Sequence, residues 1–561
     1  MKLAKKKVET SETHCFCFHF FYWVIMSTIE NELLNTQGGT RRDFLVKALA
    51  LGGSGFLLAS MSAWGMDIAS TVTTPPMLKG SGKGKTVVIL GAGIAGMTAA
   101  YELGKLGYTI KLLEARDFAG GRIQTARRGK VLEELGGTKQ VCEFDPGQYI
   151  NMGPWRIPFN HYSTLHYTSE FDVQLELFNN DNDAAYVYNE KVQGPLNEKR
   201  LRMFEVKADL RGYVDELLAK SLQNGKLDQE VTKEDKQLLI DYLVNEGYLS
   251  KKDLSYKGTD GRGYKTNPGG GLQAGVPSDP LGFSELLQSK LGLMYHSVGS
   301  FLMQKTMFEP VGGMDMIAKA FEKRVGKTIS YTTEVTKIIN QPNKVEIHTL
   351  NTVSGKTGVV TGDFCLCTIP LSVLRSIDTD FTPAFKTAME GVTYSMLCKI
   401  GLQMKERFWE KNHGIYGGHV FTNIPGINLI SLPSSGWQGK KGTLLGYYGG
   451  GVEGAQMSAR SPQQRIDYAL AAGEKIFPGE YTNMFEHGFS VSWHLVKYNL
   501  GATTHWSEEG RKLYYPTLWE GEGRTLLAGE HMSYLGGWMA GSIESSWMQI
   551  ARVHEKLSAP A

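Results

Sequence analysis

Three glycines, Gly91, Gly93 and Gly96, stand directly behind the apolar, β-branched run Thr86–Leu90 and directly ahead of a helical pattern over residues 97–106. Strand, G-x-G-x-x-G and helix in that order are the context a dinucleotide site requires. Gly91 permits the tight turn, Gly93 lets backbone approach a pyrophosphate, and Gly96 lets helix and strand pack closely, with helix N-terminal amides facing the phosphates. A second expected strand, Thr109–Leu113, ends at Glu114, 18 residues beyond Gly96 (114 − 96). An acid there accepts hydrogen bonds from ribose hydroxyls and repels a 2′-phosphate, which argues against NADP. Two other residues invite chemistry. Lys399 sits inside the apolar stretch "MLCKIGLQM", where an unpaired ammonium would be costly to bury. Arg156, in "GPWRIP", carries a guanidinium on a loop held by proline on both sides.

These groups need a scaffold of some size. The 561 residues are too many for a single small core, and 66 glycines imply many turns or close backbone approaches. With 60 basic against 57 acidic residues the net charge is +3, too balanced for a nucleic-acid protein, and no nucleic-acid partner is expected. The six cysteines (Cys15, Cys17, Cys142, Cys365, Cys367, Cys398) read as buried free thiols, and no metal-ligand spacing appears, so no metal is expected.

The segment "EARDFAGGRIQT", from Glu114 through Ala115 to Gly121 and Arg122, resembles the FAD-binding pattern of the flavin amine oxidase family. So do "EPVGGMDMIAKAF", "TTEVTKIINQPNKVEIH" and the closing "LLAGEHMSYLGGWMAGSIESSW", and the resemblance runs from about Thr86 to His554. It implies FAD as cofactor. It places Ile94 and Ala95 in the phosphate turn, Gly121 and Arg122 at the pyrophosphate, the Val335 backbone at adenine and Glu530 toward the ribityl chain. Gly537, Trp538, Met539, Ala540, Gly541 and Ser542 then form a helix start beneath the isoalloxazine, where a helix N-terminus stabilises negative charge.

"NMGPWRIP" resembles the segment of the family's L-amino-acid oxidases that carries Gly-Pro-Met-Arg, with Trp155 in place of the usual Met. By that resemblance Gly153, Pro154 and Trp155 lie against the flavin and Arg156 clamps the substrate carboxylate. Tyr448, or its neighbour Tyr447 in the other register, adds a hydroxyl to the carboxylate. Trp538 walls the pocket, and the Gly537 carbonyl accepts from the substrate amine. Lys399, in "MLCKIGLQMKERFWEKNHGIYGG", matches the family lysine that holds a water against flavin N5 and assists reoxidation by oxygen. The activity implied is oxidative deamination of an L-amino acid by hydride transfer to flavin, giving a 2-oxo acid, ammonia and hydrogen peroxide. The alternatives are decarboxylation to an amide, as in tryptophan 2-monooxygenases, and a monoamine or polyamine oxidase. Trp155 and an aromatic-rich C-terminal half favour bulky apolar or aromatic side chains.

The fold class implied is α/β (α+β overall). A Rossmann-like FAD-binding domain is expected over 81–150, 305–372 and 515–558, a mixed-sheet substrate domain over 151–195 and 373–514, and a helical insertion over 196–304. Residues 1–80 form an N-terminal extension. Within it, Thr40, Arg41, Arg42, Phe44, Leu45 and Lys47, ahead of the apolar run 46–64, resemble a bacterial twin-arginine export signal. Export of a folded, cofactor-loaded enzyme to the periplasm or outside the cell is expected, with the twin-arginine machinery as partner. Met26 reads as the natural start. The twelve residues "CFCFHFFYWVIM" are too short to span a bilayer, so no stable membrane span is expected. The Gly- and Pro-rich stretch after residue 255 reads as a lid or assembly loop, and a homodimer is left open.

Overall fold

The computed structural model describes residues 73–294 and 300–558. The twin-arginine pattern, Met26, Cys15 and Cys17 lie outside the described residues. Both strands expected around the glycines are present, β1 (Thr86–Leu90) and β2 (Thr109–Leu113), with helix α1 (Ile94–Lys105) between them. They join β3 (Ile329–Ser330), β4 (Phe364–Cys367) and β5 (Thr525–Leu527) in a five-stranded parallel sheet of order β3-β2-β1-β4-β5. Period-two alternation buries both faces of this sheet. Val87 and Ile89 pack with α1, the Asp315–Val325 helix and helix α2 (Met539–Ser558), while Val88 and Leu90 pack with Val335, Ile338, Leu371 and Phe385 on the other face. Cys365 and Cys367 are free, buried thiols in β4, and Cys142 and Cys398 are likewise free and buried.

A second, seven-stranded sheet runs Arg200–Arg202, Tyr186–Tyr188, Gly418–Ile424, Ile427–Leu432, Gly442–Gly449, Cys398–Met404, Phe485–Ser492. It is mixed, because Tyr186–Tyr188 and Gly418–Ile424 pair in parallel while the other pairs are antiparallel. The fold class is therefore α/β with a Rossmann-like layer and a separate mixed sheet, as the sequence implies.

The helical stretch of the insertion forms Met203–Gln223 and Lys233–Glu246, whose apolar residues pack with Tyr256 and Leu254. The glycine-rich stretch that follows contains a small hairpin, Tyr264–Thr266 against Val276–Pro277. Arg262 anchors it: the guanidinium donates to both oxygens of the buried Asp209 at 2.9 and 3.0 Å.

Candidate active site

The carboxyl ends of the parallel strands open onto one cavity of about 610 Å³. Gly91 follows β1, Glu114 follows β2, Thr368 follows β4 and Gly529 with Glu530 follow β5, and all line it. An open parallel sheet places ligands at this edge because each strand there turns into a loop with free backbone groups.

The glycines show what fits. A Cβ on Gly96 would stand 2.0 Å from the Gly91 carbonyl oxygen, so that glycine serves the packing of α1 on β1. A Cβ on Gly93 would meet nothing within 4 Å; no protein atom crowds it, and its backbone lines the cavity wall. Helix α1 begins at this point with no side-chain cap and no acid in its first turn, leaving amides for an anion. Glu114 holds the turn in place, accepting from the Ala92 amide at 2.9 Å and the Arg116 amide at 3.0 Å. These features fit the phosphates and ribose of a dinucleotide.

At the middle of the cavity Arg122 pairs with the buried Glu530 at 2.9 Å and also donates to the Ala502 carbonyl. Glu530 accepts from the Thr504 hydroxyl at 2.7 Å and from the Gly537 amide at 3.1 Å. Burial works to raise its carboxyl, but Arg122 and the Thr504 hydrogen bond outweigh that and hold it below the ordinary carboxylate value. Gly537, with φ +78, directs the chain into α2.

At the far end Gly153, Pro154, Trp155, Arg156, Lys399, Tyr448 and Trp538 come together. Lys399 and Tyr448 are direct partners on adjacent antiparallel strands, which puts both side chains on one face. This geometry selects Tyr448 over Tyr447, whose side chain faces the opposite side into the core. Lys399 Nζ lies 4.8 Å from the Tyr448 ring centre and donates to the Asn151 carbonyl at 3.3 Å and to the Gly153 carbonyl. Burial first, and then the charge of Arg156, bring the lysine down from 10.5 to about 7. Arg156 stacks near Trp155 and Trp538, at 4.9 and 5.9 Å from their ring centres. Its only hydrogen-bond partner among the described residues is the Met303 sulfur at 3.3 Å, its buried Nε has none, and no carboxylate lies within ion-pairing distance.

Of the residues singled out in the sequence, Ile94, Ala95, Ala115, Gly121, Val335, Met539 and Ser542 also line the cavity. Gly96, Ala540 and Gly541 do not. A Cβ on Gly541 would stand 2.2 Å from the Leu535 carbonyl oxygen, so it spaces the chain at the start of α2. Sequence reasoning missed Arg116, Thr368, Pro370, Trp493, Tyr498 and Asn499, which line the same cavity. Arg116 lies inside the quoted "EARDFAGGR", and Thr368 follows a β-rich cysteine run, so both carried a usable signal. Tyr498 and Asn499 come from a distant loop with none. His161, missed as well, meets Trp538 edge-on at 4.6 Å, and burial lowers it to about 4, leaving it neutral.

Among the described residues no group of three or more metal-ligating side chains occurs, and no helix is long and apolar enough to cross a membrane.

A dinucleotide cradle at the strand ends, continuous with a chamber lined by aromatic rings, a lysine and an arginine, defines a flavoprotein that oxidises a small organic substrate. Residues 94–553 match the profile described as flavin containing amine oxidoreductase, and the chain belongs to that family. It is thus an FAD-dependent oxidoreductase acting on a CH–NH2 group. It is 28% identical over 481 residues to an L-amino-acid oxidase of Protobothrops flavoviridis, covering 83% of this chain and 88% of that one. It is 27% identical over 491 residues to an L-amino-acid oxidase of Vipera ammodytes ammodytes, covering 83% and 92%. Its fold is similar to that of cyclohexylamine oxidase from Brevibacterium oxydans IH-35A, with a TM-score of 0.56 at 16% identity over 85% of this chain and all of the other.

Removing one hydroxyl tests the Tyr448 position. Tyr448→Phe is expected to raise KM for a carboxylate-bearing amine by about ten- to a hundredfold, the worth of one hydrogen bond to a charged group. Tyr447→Phe should leave KM unchanged, since the Tyr447 hydroxyl is buried without a partner. Steady-state oxygen uptake on both variants decides the register.

Proposed function

We propose that the protein is an L-amino-acid oxidase, converting an L-amino acid, oxygen and water to a 2-oxo acid, ammonia and hydrogen peroxide. The observation that carries this reading is Arg156, a desolvated guanidinium on the cavity wall with no carboxylate partner among the described residues. A cation so placed is stabilised by an anion it can fork onto, and an α-carboxylate has that shape.

Bound FAD would accept the hydride from the α-carbon; Gly91, Gly93, Glu114, Arg122 and Glu530 are the residues to hold it. The chain's own groups do the rest. Arg156 and Tyr448 fix the carboxylate end and so set which face of the α-carbon is presented. Trp155, Trp538 and Trp493 keep the chamber apolar and exclude water. A lysine poised near neutrality can hold a proton or water beside the reacting centre, and Lys399 Nζ is fixed for this by the Asn151 and Gly153 carbonyls. The aromatic walls favour large apolar or aromatic side chains. The Gly537 carbonyl is the proposed acceptor for the substrate amine. Export through the twin-arginine route, to the periplasm or beyond, is part of the same proposal.

A screen of L-amino acids and simple amines, with peroxide, ammonia and carbon dioxide all quantified, tests the reaction. Peroxide and ammonia in equal amounts with no carbon dioxide released by the enzyme support the oxidase. Amide and carbon dioxide from the enzyme step would replace it with the decarboxylating reaction.

A further inference from the structure

A second cavity, of about 460 Å³, lies against the first, and Trp155 lines both. Glu309 faces it from the Met307–Pro310 strand and Glu176 from the Leu175–Phe178 strand. The two are direct partners in antiparallel register, so their side chains leave the same face with Cβ atoms about 4.5–5.5 Å apart. Glu309 is 5% exposed, and its Oε1 is buried with no hydrogen-bond partner. Among the described residues neither carboxyl has an ion-pair or hydrogen-bond partner. Like charges directly opposite one another destabilise a sheet, and an unpaired buried carboxylate is costlier still.

The cavity's own cations do not answer this pair. Arg407 is held by the buried Glu410 at 2.7 Å, Lys441 by Asp145 and by Glu486 at 2.6 Å, and Lys440 is exposed. Tyr149, Ser431, Ser434 and Ser435 complete a polar lining.

We propose that the facing carboxylates of Glu176 and Glu309 bind a small primary-ammonium cation, either the ammonium ion or a short alkylammonium. Such an ion brings N–H donors, which is what the orphaned Oε1 lacks. Among the described residues no third His, Cys, Asp or Glu joins the pair to complete a metal-ligand cluster. Burial, and then Glu176, raise the Glu309 carboxyl from 4.5 to about 8, so a proton occupies the pair when the cation is absent. Cation binding therefore displaces a proton and strengthens as pH rises toward that value. Tyr149, Arg407, Lys440 and Lys441 are the other titratable groups facing the cavity. The site stands apart from Arg156 and does not rest on the carboxylate reading.

Calorimetric titration of the FAD-loaded enzyme with ammonium, methylammonium and butylammonium chlorides, against potassium chloride at matched ionic strength, tests the site. The parent is expected to bind one ammonium-type cation saturably, more tightly at about pH 8.5 than at about pH 6.5, by up to about tenfold per pH unit. Glu309→Gln and, independently, the half-buried Glu176→Gln should each weaken binding at least about tenfold, the factor that 1.4 kcal/mol represents. Binding confined to ammonium identifies the free ion, and binding that extends to the alkylammonium salts identifies the organic cation. No saturable binding in the parent, undiminished binding in both variants, or equal binding of potassium would overturn the proposal. Retention of cation binding in Arg156→Ala is expected, which keeps a failure here distinct from a failure of the oxidase reading.

Discussion

Arg156→Ala lowers kcat/KM for L-amino acids by about one to two orders of magnitude, while flavin content and visible absorbance remain those of the parent. The magnitude follows from what is lost. A charge-assisted hydrogen bond contributes about 1.5–3 kcal/mol, and each 1.4 kcal/mol is a factor of ten in an equilibrium constant. Little is lost in folding, because among the described residues the guanidinium makes no ion pair, and its only hydrogen-bond partner is the Met303 sulfur, beside the Trp155 and Trp538 rings. Arg156→Lys should recover only part of the loss, since an ammonium cannot make the planar, two-pronged contact. Stopped-flow reduction and steady-state kinetics on the three proteins check this, and oxidation of L-amino acids by Arg156→Ala at the parent rate would remove the clamp.

Lys399→Met slows the oxygen-dependent half of the cycle by about two orders of magnitude or more, the usual worth of a positioned proton donor, while the protein stays yellow. Oxygen being reduced gains negative charge, which an ammonium stabilises and an amine does not. The parent lysine is lowered to about 7, so its ammonium form predominates below that pH and is lost above it. The rate with oxygen should therefore fall as pH climbs through about 7, and this inflection should be missing in Lys399→Met. Arg156 is the second cause of the lowered value, after burial. A carboxylate bound to Arg156 offsets that charge, so with amino acid saturating the inflection should move to higher pH. An unshifted profile in the variant would take the lysine out of the oxygen step.

Most of the nucleotide cradle was legible in the sequence because its signal is local. Thr86–Leu90, the three glycines and Glu114 occupy one stretch of chain, and each residue type is required by a backbone conformation or a close approach. The strands at Thr86–Leu90 and Thr109–Leu113 accordingly fall where the pattern puts them. The chamber end was legible only through likeness to known enzymes. Nothing in periodicity brings Arg156, Lys399 and Tyr448 together; the register of the Cys398–Met404 and Gly442–Gly449 strands does. The choice between Tyr447 and Tyr448 was open for the same reason, since a one-residue slip reverses every side chain. Glu309 gave no warning at all. In sequence it is only the first residue of "EPVGGMDMIAKAF", and it is the pairing with Leu175–Phe178 that sets it against Glu176 on the wall of the second cavity.

The comparison that bears most directly on the carboxylate clamp uses one substrate pair, L-phenylalanine and phenethylamine, which differ only in the carboxylate. Oxygen uptake by the parent enzyme should give a kcat/KM at least about tenfold higher for the amino acid, with that ratio collapsing in Arg156→Ala. A parent enzyme that oxidises the amine as well as or better than the amino acid would contradict the clamp and make the protein an oxidase of amines without a carboxylate.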